Sequence, residues 1–210
     1  FGRVRRRQRA AVAQQPGQRA VAADQSGGDS AGAFLTAHPD VDGYTFTGET
    51  RTGELIMQNA AKGVRDISLE LGGKNAGIVF ADCDMDKAIE GTMRSAFANC
   101  GQVCLGTERV YVERSIFDEF VSRLKTEAEK LVIGPPDDAT ANLGPLISQK
   151  QRDKVLSYYQ QAVNDGATIV TGGGIPDMPD ALKNGSWIQP TIWTGLNDDS
   201  AVINEEIFGP

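Results

Sequence analysis

The residues best suited to chemistry in this chain are a cysteine and a carboxylate 34 positions apart, Cys104 and Glu70. Cys104 lies in Asn99-Cys100-Gly101-Gln102-Val103-Cys104-Leu105-Gly106, whose glycines let the backbone turn tightly and approach a ligand. On such a turn a thiolate can be reached by an electrophilic carbon and form an acyl-enzyme. Glu70 interrupts an apolar run just before a Gly-Gly pair, in Leu69-Glu70-Leu71-Gly72-Gly73-Lys74-Asn75. There it is expected to be semi-buried and to deprotonate the water that hydrolyses the acyl group. Each residue also has a plainer reading. Cys104 can be a small buried apolar residue, and Glu70 one half of an ion pair with Lys74 or Arg65.

Two further stretches are weaker signals. Gly48-Glu49-Thr50-Arg51-Thr52-Gly53 opens a helix after a strand, and the free N–H groups of a helix start favour a pyrophosphate. Many strand-to-helix turns look the same. Glu205-Glu206-Ile207-Phe208-Gly209-Pro210 reads, on its residues alone, as a charged turn before a strand.

Strands and helices must alternate to position these groups. Asp29-Ser30-Ala31-Gly32 starts a short helix that Pro39-Asp40 ends, and Tyr44 to Phe46 is a strand. A helix over Arg51 to Ala61 is stopped by Gly63, and Asp66 to Leu71 is the next strand. Asn75 to Phe80 reads as a buried strand, followed by a helix capped by Asp82 or Asp84 and, after the cysteine turn, a strand over Arg109 to Glu113. Ser115 to Leu131 and Ser148 to Asn164 are amphipathic helices, the first with Phe117, Phe120, Val121, Leu124, Ala128 and Leu131 as its apolar stripe. Thr168 to Val170 is a strand, and Trp187 to Trp193 a strand interrupted by Pro190. The alternation predicts an α/β fold with parallel strands and packed helices. A boundary near Leu71 to Asn75 divides it into residues 28–71 and 72–210, with Glu70 at the end of one domain and Cys104 in the other.

Residues 1–27 stand apart. Arg, Ala and Gln dominate them without a period of 2 or 3.6, and they read as a basic tail or as out-of-frame coding sequence. Phe1 to Gly28 carries net +5 while the whole chain carries −7, so the remainder carries −12. That balance, without basic patches interleaved with aromatics, argues against a nucleic-acid partner. No apolar run approaches the ~20 residues that span a bilayer, which argues against a membrane partner. The odd count of three cysteines, Cys83, Cys100 and Cys104, points to free thiols in a reducing, cytoplasmic setting. Cys100 is read as structural, or as an accidental disulfide partner under oxidation. His38 is the only histidine, so no metal site is expected.

The Glu70-Leu71-Gly72-Gly73-Lys74 and Gly101-Gln102-Val103-Cys104 stretches, taken as a pair, resemble the aldehyde dehydrogenase superfamily. The resemblance runs from about Gly28 to Pro210 and implies an internal stretch of a longer enzyme. It implies the end of a Rossmann-like coenzyme domain followed by most of an α/β catalytic domain. It also implies NAD as coenzyme, a small-molecule aldehyde as substrate and a homo-oligomer for the complete enzyme. Cys104 is then the nucleophile and Glu70 the base. Phe46, Thr47, Gly48, Glu49 and Gly53 match the coenzyme loop, with Glu49 where the family usually has serine. Leu71 matches a residue whose carbonyl holds the nicotinamide amide, Glu206 one that binds the nicotinamide ribose and Phe208 one beside the nicotinamide ring. Phe-Thr-Gly-Glu-Thr at Phe46 to Thr50 is similar to the branch of the family that handles hydroxymuconic-type semialdehydes. Two rivals from other classes are a cysteine hydrolase pairing Cys104 with His38, and a non-catalytic remnant of the fold.

Overall fold

The computed structural model describes residues 20–22 and 28–210. Most of the anomalous basic segment therefore lies outside the described residues. The chain divides into two units, residues 1–72 and 73–210.

In the first unit, β1 (Ala20–Ala22), β2 (Gly43–Gly48) and β3 (Asp66–Leu71) form a parallel sheet in that order, with α1 (Gly28–Ala37) and α2 (Thr50–Ala61) as the crossovers. Alternation explains β2: Tyr44 and Phe46 point into the core while Thr45 and Thr47 are exposed. Ile56 and Ala60, one helical turn apart on α2, bury against Val41, Tyr44 and Phe46, with Ile67, Leu69 and Leu71 of β3 packed alongside. The Tyr44 hydroxyl donates to Thr36 O at 2.6 Å, and Asn59 Nδ2 to Thr36 Oγ1 at 3.0 Å, which ties α1 to the sheet and to α2. Gly63 is not the residue that reverses the chain after α2. Val64 takes the left-handed conformation (φ 52°), with Arg65 N–H on Ala60 O and Val64 N–H on Ala61 O, the bond pair of a Schellman ending.

In the second unit, β4 (Ala76–Val79), α3 (Met85–Phe97) and β5 (Arg109–Val112) form a parallel crossover. Asp84 caps α3 by accepting from Lys87 N–H at 3.2 Å. The strand expected to be buried is covered on one face only: Val79 is in the core, whereas Ile78 and Phe80 are 64% and 62% exposed. α4 (Phe117–Ala128) follows a short 3₁₀ turn at Arg114–Ile116 and buries Phe120, Leu124 and Ala128; Phe117, placed by the sequence on the apolar stripe, is 36% exposed. α5 (Gln149–Asn164) is capped by Ser148 and buries Val155, Tyr159 and Ala162. β6 (Thr168–Thr171) pairs antiparallel with β7 (Ile192–Thr194). Trp187 to Pro190 is not strand, because Pro190 has no N–H for a ladder and pairing begins only after it. α6 (Ala201–Asn204) leads into the final turn. Two cores result, one under β4 and β5 with Phe120 at its centre, and a larger one around Val155, Tyr159 and Val202. Among the described residues no helix is long and apolar enough to cross a membrane, and no group of His, Cys, Asp and Glu is arranged to hold a metal ion.

Candidate active site

The crossover between α3 and β5 carries the cysteine turn. After Phe97 the chain leaves the helix with Asn99 (φ 51°) and Cys100 (φ 57°) both left-handed, and Gly101 continues at φ 68°. Non-glycine residues in this region are held there by their surroundings. Here Asn99 Nδ2 donates to Gln102 O at 3.1 Å, and the Cys100 thiol donates to Gly144 O at 3.3 Å. Burial pushes the Cys100 thiol above its ordinary pKa, with the Gly144 contact opposing weakly. Cys100 is therefore a buried structural thiol.

Cys104 is exposed, at the corner of a turn closed by Gly106 N–H on Val103 O at 2.8 Å. Asn75 braces that turn from the start of β4. Its side-chain amide donates to Cys104 O at 2.6 Å and Gly106 O at 3.0 Å, and its carbonyl accepts from Glu108 N–H at 3.1 Å. Cys104 N–H makes no hydrogen bond among the described residues, which leaves it open to a developing oxyanion.

The Glu205–Pro210 turn belongs to the same unit and is pinned at almost every residue. Tyr158 donates to Glu205 Oε2 at 2.7 Å; burial first, and then the Glu205 carboxylate, push this phenol up to about 12. Gly73 N–H donates to Glu206 Oε1 at 3.2 Å. Ile207 and Phe208 N–H both donate to Glu108, at 2.9 Å each, and Gln151 Nε2 donates to the carbonyls of the same two residues, at 3.2 and 2.8 Å. The buried Tyr159 hydroxyl lies 2.6 Å from Pro210 O and 3.0 Å from Gln189 O. Glu108 also pairs with Lys74 at 2.7 Å, with the two side chains only 11% and 6% exposed. Burial pulls the Lys74 ammonium below its ordinary pKa, and the Glu108 carboxylate opposes that shift. Removing one partner of such a pair costs about 3–5 kcal/mol, because the other charge is left buried and alone.

The cysteine loop and the final turn touch directly. A Cβ built on Gly101 would lie 2.2 Å from Gly209 O and 2.8 Å from Pro210 N. Gly101→Ala is therefore expected to destabilise the protein by about 2–4 kcal/mol, through left-handed strain and backbone overlap together. The check is the midpoint of thermal unfolding. An unchanged midpoint would contradict this close approach.

In the first unit, β2 and β3 end side by side, with Thr47 opposite Glu70 and Gly48 opposite Leu71. The C-terminal edge of adjacent parallel strands, with a helix starting there, is where open α/β sheets take ligands. α2 starts at Thr50, and the exposed Glu49 side chain makes no capping bond, so the first-turn N–H groups of α2 are not taken by it. These N–H groups fit a pyrophosphate. One expectation needs correction, and two of the coenzyme-loop residues also pack the core. Glu70 is exposed rather than semi-buried, because the period of β3 turns Ile67, Leu69 and Leu71 to the core and Glu70 to the other face. Phe46 is only 6% exposed, so its side chain is core. Gly53 is buried beneath Leu71, where a Cβ would meet Leu71 Cδ2 at 2.6 Å, and serves the packing of α2 on β3.

The cations that could neutralise Glu70 are engaged elsewhere, Lys74 with Glu108 and Arg65 with the Tyr44 hydroxyl and Thr36 O. His38 Nδ1 accepts from Asp40 N–H at 3.2 Å, so in the neutral ring the proton sits on Nε2. That tautomer offers no free lone pair for a thiol, which weakens the hydrolase reading. Asn75, Glu108, Gln151 and Tyr158 were not singled out as site residues from the sequence. For Glu108 the only local signal was a charge at the mouth of an apolar strand.

Residues 20–210 match the model of the aldehyde dehydrogenase family. The chain is similar to 2-hydroxymuconic semialdehyde dehydrogenases from Pseudomonas putida (79% identical) and Pseudomonas sp. strain CF600 (75%), in each case over 88% of this chain. It spans 38% of the length of each of these relatives. A crystal structure of Staphylococcus aureus betaine aldehyde dehydrogenase in complex with NAD+ superposes with a TM-score of 0.82 at 40% identity, covering 85% of this chain and 35% of that one. The chain belongs to the aldehyde dehydrogenase family.

Proposed function

We propose that the full-length protein carrying this chain oxidises an aldehyde to its carboxylate with NAD, and that its substrate is 2-hydroxymuconic semialdehyde. The observation that carries the chemistry is Cys104, an exposed thiol on a turn braced by Asn75 and packed against the Glu205–Pro210 turn. The Cys104 thiolate adds to the aldehyde carbon, and the Cys104 N–H steadies the oxyanion of the resulting thiohemiacetal. Bound NAD supplies the acceptor for the hydride that leaves this carbon. Cys104 then carries the acyl group as a thioester. Glu70 takes a proton from water, the hydroxide attacks the thioester carbonyl, and the C–S bond breaks to release the carboxylate and the Cys104 thiolate. Thr47, Gly48 and the start of α2 would hold the pyrophosphate side of the coenzyme, with the Glu49 carboxylate turned away from the phosphates or onto a hydroxyl, since like charges repel. By the family resemblance, Leu71 O, Glu206 and Phe208 would hold its nicotinamide end.

The choice of semialdehyde rests on the names of the two Pseudomonas relatives and on Phe46 to Thr50, which the sequence already likened to the hydroxymuconic branch. A related substrate, 5-carboxymethyl-2-hydroxymuconic semialdehyde, is the second reading. The test uses a chimaera in which this segment replaces its counterpart in the P. putida relative, assayed by NADH formation. With 2-hydroxymuconic semialdehyde, kcat/KM is expected to exceed that with the carboxymethyl compound or betaine aldehyde by about tenfold or more, about 1.4 kcal/mol of transition-state preference. Equal values, or a preference for either competitor, would overturn the substrate assignment and leave the thioester chemistry to be judged separately.

A further inference from the structure

We propose that Glu108 is a positioning residue for the reaction at Cys104, its buried carboxylate holding the turn that bears Glu206 and Phe208 in register with the cysteine turn. This rests on the reading of Cys104 as nucleophile and of the Glu205–Pro210 turn as part of the coenzyme site.

The geometry is specific to a carboxylate. Ile207 N–H donates to Glu108 Oε2 and Phe208 N–H to Oε1, both at 2.9 Å, while Lys74 Nζ takes Oε2 at 2.7 Å. Two consecutive backbone N–H groups converge on one side chain, and Phe208 stands in the left-handed region at φ 61°. A phenylalanine keeps that conformation only when its surroundings over-determine it. Gln151 completes the constraint by donating to the carbonyls of Ile207 and Phe208.

Glu108 reaches Cys104 through Asn75. Its own N–H is bound to Asn75 O, and the Asn75 amide is bound to Cys104 O. One hydrogen-bonded path therefore runs from the nucleophile's backbone to the strained Phe208 turn. Glutamine at position 108 keeps the shape but presents an NH₂ group where the carboxylate accepted. Either Phe208 N–H, or Ile207 N–H together with the Lys74 ammonium, must lose its partner.

The test uses the chimaera, with Glu108→Gln and the double variant Lys74→Met/Glu108→Gln. The double variant leaves no buried ammonium unpaired and guards against simple unfolding. Both are expected to raise KM for NAD and slow the pre-steady-state release of NADH, each by about 10- to 100-fold, since small misplacements of a reacting group cost that much. KM for the aldehyde, and alkylation of Cys104 by iodoacetamide without coenzyme, are expected to stay within about threefold. Hydrogen exchange at the Ile207 and Phe208 amides is expected to speed up in both variants, whether or not the protein turns over. A folded variant with unchanged KM for NAD and unchanged NADH release overturns the proposal, as does unchanged exchange at these amides. If the unsubstituted chimaera makes no NADH, the functional reading fails. The exchange comparison then decides separately whether Glu108 holds the turn.

Discussion

Cys104→Ser in the full-length protein is expected to abolish NADH formation, a loss on the order of 10⁴-fold or more. A serine hydroxyl is far less acidic than a thiol and supplies almost no anion near neutral pH, so the thiohemiacetal that must lose hydride does not form. Cys100 and Cys83 serve as controls. Cys100 is buried with its thiol on Gly144 O, and Cys83 is half-buried against the core under β4. Serine at either of these is expected to leave hydride transfer within about threefold once the protein is folded. An active Cys104→Ser variant, or an inactive but folded Cys100→Ser variant, would transfer the nucleophile's role to another residue.

Glu70→Gln separates the two halves of the reaction. The side chain keeps its shape and loses only its basicity, so the thioester forms once and then persists. Rapid mixing is expected to show a burst of about one NADH per active site, followed by turnover slowed by about 10²- to 10⁴-fold, the usual worth of general-base help. The exposed position of Glu70 beside the end of β2 suits a base that must meet water, although it is not the semi-buried setting that the sequence suggested. If the burst disappears together with turnover, Glu70 acts earlier, on the thiol itself. Unchanged steady-state turnover would make Glu70 structural.

Much of this was legible because the signals are local. Ile67, Leu69 and Leu71 alternate, and β3 has the bounds expected of it. Asp84 and Ser148 cap the helices they precede, and Gly101 and Gly106 mark the turn that exposes Cys104. The period of 2 in β3 also placed Glu70 opposite the leucines. Reading it as a carboxylate inside an apolar run, rather than on the alternate face, gave the wrong burial. The same alternation makes β2 a strand and turns Phe46 inward. Pairing direction was harder to see. Thr168–Thr171 looks like its parallel counterparts, yet its partner follows Pro190 and runs antiparallel. Glu108 was invisible for another reason. Its partners Ile207 and Phe208 are 99 and 100 residues away, and no periodicity links a strand-mouth glutamate to so distant a turn. Val64 shows the same limit on a small scale, because the sequence offered Gly63 as the reversing residue and packing chose its neighbour.

One covalent species, the acyl group on Cys104, links hydride transfer to hydrolysis. The Glu70→Gln protein, mixed with NAD and 2-hydroxymuconic semialdehyde and quenched in acid after the burst, should carry one acyl adduct per chain by mass spectrometry of the intact protein. Digestion should place it on the peptide containing Cys104, and hydroxylamine should remove it, as expected of a thioester. A burst of NADH with no adduct, or an adduct on Cys83 or Cys100 with Cys104 unmodified, would contradict the assignment of Cys104 as the nucleophile.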